Sequence, residues 1–113
     1  MTKRYAAARI GNEEEEHIAA EELVEEPITF LYGVSPNPVN HFATVKYALA
    51  EQGQARIYIT NTLGNRVAVV RDSFQEPGEH TAVLDATTLP NGIYLCTLEA
   101  GDYKLTKRIV IIK

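Results

Sequence analysis

The sequence is poor in the residue types that catalytic and disulfide-stabilised proteins use. It has one cysteine, no tryptophan and three histidines in 113 residues, so no disulfide can form within the chain. Cys96 lies inside an apolar run, which favours a small buried residue over a nucleophile. No apolar run approaches the roughly 20 residues that a membrane-spanning helix needs, and this argues against direct insertion into a membrane.

The charge is unevenly distributed along the chain. The formal net charge is −4; residues 1–26 hold eight glutamates against three basic residues, whereas residues 27–113 hold seven acidic and eight basic ones. A nucleic-acid-binding face needs clustered Lys and Arg, and the basic residues here are scattered except near the C-terminus. The composition therefore argues against nucleic acid as a partner and sets an acidic leader apart from a nearly neutral remainder.

The acidic leader, residues 1–27, allows two interpretations. Residues 12–26 are rich in helix formers, with a candidate N-cap at Asn12, which favours a helix. The apolar stripe is thin and the glutamates repel one another, which favours a disordered linker ending at Pro27. Consecutive residues do not converge on one ion, so the run of Glu13 to Glu16 before His17 indicates a solvated charge cluster rather than a cation site.

Residues 28–113 alternate short β-prone runs with turn residues. The clearest run places Ala55, Ile57 and Ile59 on one face of a strand. Seven such runs with turns at a spacing of about 8–12 residues predict an all-β fold, a seven-stranded antiparallel immunoglobulin-like sandwich. The runs are residues 28–33, 42–49, 54–61, 66–71, 79–85, 93–98 and 103–113.

Three stretches carry more specific expectations. Residues 89–98 combine turn formers, Pro90 and Gly92, with apolar residues on both faces of the strand that follows, which predicts a central strand. Residues 35–38 hold two prolines, cannot continue a ladder, and should cross between sheets or turn a corner. The last run ends in four consecutive apolar β-branched residues at 109–112, which predicts a terminal strand buried on both faces and covered by another element.

No constellation of catalytic or metal-ligating residues is visible. Catalysis needs a nucleophile with a base, paired carboxylates or a metal cluster, and the three histidines lie in separate parts of the chain. His80 has no second ligand at metal spacing, so we interpret it as structural. The sequence predicts a protein that is not an enzyme, with no metal and no cofactor.

Five blocks in order resemble the type A C-terminal sorting domain of the type IX secretion system. The resemblance covers residues 34–113. Each block alone is weak, and their order over that span makes the match specific. The blocks are Ser35-Pro36-Asn37-Pro38-Val39-Asn40, Asn61-Thr62-Leu63-Gly64-Asn65-Arg66-Val67, Gly78-Glu79-His80-Thr81, Leu89-Pro90-Asn91-Gly92-Ile93-Tyr94 and Lys107-Arg108-Ile109-Val110-Ile111-Ile112-Lys113.

The resemblance implies an export address carried by a larger cargo protein. Such a domain crosses the periplasm, is recognised by the outer-membrane translocon, and is usually removed by a sortase-like surface protease as the cargo is attached to the cell surface; some members stay attached or are released. No secretory signal is visible after Met1, which fits a C-terminal piece of a longer protein. Residues 1–27 would then be the linker or the tail of the cargo domain, and residues 28–113 the sorting domain.

Two sets of residues follow from this interpretation. We expect the translocon to recognise the terminal strand through backbone pairing at a sheet edge and through its cations. Another set should shape the fold. The recognition candidates are Tyr103, Lys107, Arg108, Ile109, Val110, Ile111, Ile112 and Lys113, and the structural ones are Pro36, Asn37, Pro38, Gly64, Gly92 and Tyr94.

Two other functions remain open at this point. An immunoglobulin-like adhesion or carbohydrate-binding module would need an exposed aromatic platform, for which Tyr58 with Tyr47 or Tyr103 is the candidate set. A structural domain could self-associate through its edge strands.

Overall fold

The computed structural model describes residues 3–8 and 22–113 of the chain. These residues form nine β-strands and, within those ranges, no helix. The strands are β1 Lys3–Ala8, β2 Glu22–Pro27, β3 Phe30–Ser35, β4 Phe42–Leu49, β5 Gly53–Thr60, β6 Arg66–Gln75, β7 Gly78–Asp85, β8 Gly92–Ala100 and β9 Tyr103–Ile111.

The seven strands from β3 onward confirm the seven runs found in the sequence. They form two antiparallel sheets, one ordered β3-β4-β7 and the other β6-β5-β8-β9. Because side chains alternate across a strand, each strand sends every second residue toward the other sheet. Ala55, Ile57 and Ile59 of β5 are fully buried in this way, against Val45 and Leu84 among others in the core that both sheets share.

Strand β8 is central, as the sequence predicts, because it pairs with β5 on one side and β9 on the other. Tyr94, Cys96 and Leu98 are buried on its inner face. The apolar residues of its other face, Ile93 and Leu95, are exposed, since each of the two sheets has only one covered face.

Strand β9 is the edge strand of its sheet, and the prediction that it is buried on both faces is wrong. Ile109 and Ile111 are fully buried, whereas Val110 is only partly buried and Ile112 is exposed. The reason is again the two-layer architecture, in which only every second residue of a strand can reach the core.

The proline corner, residues 35–41, joins β3 to β4, which are neighbouring strands of the same sheet. Ser35–Pro36 and Asn37–Pro38 are both cis peptide bonds. Beyond them Val39 is fully buried and forms a parallel bridge with Ile111. Of the two expectations for this segment, the turned corner is therefore confirmed and the crossing between sheets is wrong. Val39 supplies part of the cover that the terminal strand needs.

The described part of the acidic leader is a strand. Strand β2 pairs antiparallel with β1, with Ala6 opposite Val24 and Lys3 opposite Pro27. For residues 22–26 the predicted helix is therefore wrong, because these residues belong to a strand. Residues 12–21, interpreted above as a helix or a linker, lie outside the described residues. So does the charge cluster of Glu13 to Glu16 with His17.

Candidate recognition surface

The two faces of β9 hold different kinds of residue. Odd-numbered residues point inward: Leu105 packs against the core and Ile109 and Ile111 lie within it. Even-numbered residues point outward, so that Thr106 and Arg108 lie on the outer face of the sheet beside β8. Of the predicted recognition residues, Ile109 and Ile111 are thus not accessible to a partner while the domain is folded.

The cations of the terminal segment fall into two groups. The Lys107 amine lies 5.8 Å from the centre of the Phe30 ring, at the gap between the edges of the two sheets. Among the described residues, Lys104 and Arg108 have no ion-pair partner. The amine of Lys113 instead donates to the carbonyls of Thr87, at 2.9 Å, and Leu89, at 2.5 Å, so this cation fastens the C-terminal residue to the loop before β8.

The outer edge of β9 is closed over its C-terminal half. The Val39 N–H donates to the Val110 carbonyl at 2.7 Å, and the Ile112 N–H donates to the Val39 carbonyl at 2.9 Å. The Asn37 side chain adds two bonds, accepting from the Val110 N–H at 3.0 Å and donating to the Arg108 carbonyl at 3.3 Å. In the terminal segment, the backbone N–H and C=O groups that face this outer edge therefore belong to the even-numbered residues.

The N-terminal half of the same edge is open. Alternation along an antiparallel strand places the backbone groups of Lys104 and Thr106 on the outer edge, and no described strand pairs with them there. Tyr103, at the start of β9, has an exposed side chain. Residues 103–107 are therefore the part of the terminal strand that is available for backbone pairing.

The residues expected to shape the fold occupy turns and corners around this strand. Gly64 has φ of +88°, in the region that favours glycine, within a loop that Asn61 fixes by accepting from the Leu63 and Asn65 N–H groups. Gly92 begins β8, and the buried Tyr94 donates its hydroxyl to the Pro90 carbonyl at 2.6 Å. Pro36 and Pro38 flank Asn37 in the proline corner.

A buried polar group lies on the outer face of the second sheet, and sequence reasoning did not predict it. The Tyr58 hydroxyl donates to Glu99 Oε2 at 2.6 Å, and the Arg66 guanidinium carbon lies 3.8 Å from the centre of the Tyr58 ring. The hydrogen bond to Glu99, with burial, raises the pKa of the Tyr58 hydroxyl. Because Tyr58 and Glu99 are 41 residues apart in sequence, no local sequence pattern predicts their contact.

The three candidate tyrosines, Tyr47, Tyr58 and Tyr103, do not assemble into a platform for a carbohydrate. Tyr47 is fully buried and stacks on His80, and Tyr58 is covered by Arg66. Of the candidate set, only Tyr103 is exposed.

The side chains with catalytic potential also have structural surroundings. His80 Nε2 lies 2.7 Å from the Glu76 carbonyl, and His41 is exposed beside the proline corner. Burial raises the pKa of the Cys96 thiol to about 12, which keeps it protonated. Within residues 3–8 and 22–113 no three His, Cys, Asp or Glu side chains are grouped as metal ligands would be, and no helix there is long and apolar enough to cross a bilayer.

One comparison with known proteins identifies a family. The family model described as "Secretion system C-terminal sorting domain" matches residues 33–112. No curated protein matches the chain. No solved structure matches it either. The matched span contains the proline corner, the Asn61 loop, Tyr94 and nearly all of the terminal segment.

Proposed function

The chain belongs to the family of type IX secretion C-terminal sorting domains, and from this premise we propose that the machinery recognises this chain through strand β9. Domains of this family are sorting signals on a larger cargo chain, recognised by the type IX machinery, and they direct secretion or cell-surface localisation. The family is one of signals rather than of enzymes. A carbohydrate-binding or adhesion role has no support from the comparisons.

The observation that carries the proposal is the open half of the β9 edge. Lys104 and Thr106 leave backbone donors and acceptors unpaired by any described strand, and an extended segment of a partner can add to such an edge. Lys107 and Arg108 place two cations beside it. Open edges normally attract unwanted partners, and edge lysines reduce that risk, so the cations also favour an acidic partner strand over a second copy of this chain.

The two parts of the chain have different roles. Residues 28–113 act as the sorting domain, and residues 1–27 act as the linker or the end of the cargo. The chain passes through the periplasm, and a sortase-like surface protease then cuts within the leader as the cargo is attached or released. The domain itself has no catalytic part in these steps.

The fold that supports this role is an immunoglobulin-like sandwich. In immunoglobulin constant-type domains, strands A, B and E lie in one sheet and C, F and G in the other. Strands β3, β4 and β7 occupy the first three positions, and β5, β8 and β9 the other three, with β6 beside β5. The bond from the Tyr94 hydroxyl to the Pro90 carbonyl resembles the tyrosine corner of such domains, where a Tyr early in strand F bonds backbone upstream.

A charge-matched pair of variants tests recognition through β9. The full chain is fused behind a fluorescent cargo that has its own inner-membrane export signal, in a bacterium with a type IX system. K107Q/R108Q should lower the surface fluorescence strongly. K46Q/R56Q removes the same two charge types from the central strands β4 and β5, where Lys46 and Arg56 form exposed ion pairs of small energetic value, and should leave delivery unchanged.

Thermal unfolding of each purified fusion keeps the comparison interpretable. With equal midpoints, normal surface delivery of K107Q/R108Q would overturn the proposal that these cations are recognised. Deletion of the terminal segment is a weaker test, because it removes Ile109 and Ile111 from the core.

A further inference from the structure

Four apolar side chains form a continuous patch on the outer face of β8 and β9. Ile93 lies directly opposite Val110 in the strand pair, and Leu95 and Ile112 follow by alternation on the same face. Ile93 is 44% exposed, Leu95 36% and Ile112 54%, and Val110 is partly buried. We call Ile93, Leu95, Val110 and Ile112 the apolar patch.

The exposed apolar residues Val83, Val69 and Phe74 each face a residue that is not aliphatic on the paired strand. Val83 of β7 is 65% exposed and faces Thr44 on the neighbouring strand. Val69 and Phe74 of β6 are both 60% exposed and lie opposite Tyr58 and Gln54. Single exposed apolar side chains are ordinary on protein surfaces, whereas contiguous groups mark interaction sites.

The charge beside the apolar patch indicates the chemistry of its partner. Arg108 lies directly opposite Leu95, within the same face, and has no ion-pair partner among the described residues. Glu99, the acidic residue of β8 on that face, is bonded to Tyr58. A partner that covers the patch must therefore bring apolar side chains together with a carboxylate for Arg108.

The apolar patch is continuous with the strand proposed for recognition. Val110 and Ile112 belong to the terminal segment itself, and the Arg108 carbonyl marks where the closed half of the edge begins. A partner strand that adds at residues 103–107 meets Arg108 first and the patch directly after it. A second copy of this chain fits less well, because it would bring another Arg108 rather than a carboxylate.

We propose that the translocon protein that pairs with the open edge of β9 also packs an apolar surface bearing a carboxylate against the apolar patch and Arg108. This inference rests on the proposed function and adds Ile93 and Leu95 of β8 to the recognition surface. The patch then supplies contact area and the edge supplies orientation.

The test replaces outward-facing apolar side chains by β-branched polar ones. I93T/L95T in the full chain, fused to the same exported fluorescent cargo, should lower surface delivery about tenfold, which corresponds to about 1.4 kcal/mol of lost binding free energy. The matched control is V69T/V83T, which makes the same kind of change at two exposed positions outside the apolar patch and should deliver normally. Thermal unfolding midpoints of both variants should stay close to that of the unmodified chain.

Each outcome separates this inference from the proposed function. Normal delivery of I93T/L95T with blocked delivery of K107Q/R108Q overturns the apolar patch and leaves recognition through β9 standing. Normal delivery of both variants overturns the apolar patch and the recognition of the two cations of β9. If surface delivery falls equally in I93T/L95T and V69T/V83T, the assignment of the apolar patch is overturned. Two further measurements apply if I93T/L95T is delivered normally. If this variant has lost self-association in sedimentation, the patch binds a second copy of the chain, and if it has lost binding to phosphatidylglycerol vesicles, the patch binds a lipid surface. Either result would overturn the inference.

Discussion

The side-chain amide of Asn37 is bonded to the backbone of β9 at Val110, 73 residues further along the chain. Its Oδ1 accepts from the Val110 N–H at 3.0 Å, and its Nδ2 donates to the Arg108 carbonyl at 3.3 Å. A side chain here takes the place that a neighbouring strand would occupy. The proline corner thus closes half of the terminal edge and leaves the half at residues 103–107 open.

Substitution of Asn37 should destabilise the domain. N37A removes two hydrogen bonds that each contribute about 0.5–1.5 kcal/mol net, so the free energy of unfolding in urea should fall by about 1–3 kcal/mol. Asn40 lies in the same corner and makes no side-chain hydrogen bond with the described residues, so N40A is the control and should change little. Equal stabilities of N37A and N40A would contradict the role of Asn37 in closing the edge.

The Tyr94 hydroxyl should contribute about one hydrogen bond to the stability of the fold. Y94F keeps the buried ring and removes the bond to the Pro90 carbonyl, which should cost about 1 kcal/mol in the free energy of unfolding. Y103F alters an exposed tyrosine with no hydrogen-bond partner among the described residues and should be neutral. If Y94F were as stable as Y103F, the proposed tyrosine corner would contribute nothing.

The Cys96 thiol should be unreactive in the folded protein. Burial raises the pKa of its thiol to about 12, and the thiolate is the form that reacts. Ellman's reagent should therefore label the folded chain only as fast as it unfolds, and should label it at once in guanidinium. Rapid labelling at neutral pH without denaturant would show that β8 is not the buried central strand described above.

The lysines of β9 should keep the open edge from pairing with a second copy. Like charges directly opposite one another destabilise a strand pair, so K104V/K107V should self-associate at concentrations where the unmodified chain does not. The control K46V/R56V changes two cations on central strands, which have no free edge. Sedimentation over a range of concentrations measures this, and a monomeric K104V/K107V would show that the edge is protected in another way.

The parts of the fold that sequence predicted well are those set by local alternation. Ala55, Ile57 and Ile59 repeat every second residue, and a strand with one covered face produces that pattern directly. The same reasoning failed at residues 109–112, because a run of apolar β-branched residues is equally compatible with one covered face or two. The number of layers is decided by the whole chain.

The recognition surface was only partly predictable for a related reason. Lys107 and Arg108 are visible as cations in a β-prone run, but the capture of the Lys113 amine by the Thr87 and Leu89 carbonyls depends on a loop more than 20 residues earlier. The bonds from Asn37 span an even longer separation. Contacts of this kind have no sequence period and require the folded arrangement.

Site-specific photocrosslinking during export tests recognition through β9 most directly. A photoreactive amino acid is placed in turn at Lys104, Lys107 and Arg108, and at Val83 on the opposite sheet, in the full chain fused to an exported cargo. The account predicts crosslinks to outer-membrane components of the type IX machinery from the three β9 positions and none from Val83. Crosslinks from Val83, with none from β9, would contradict it.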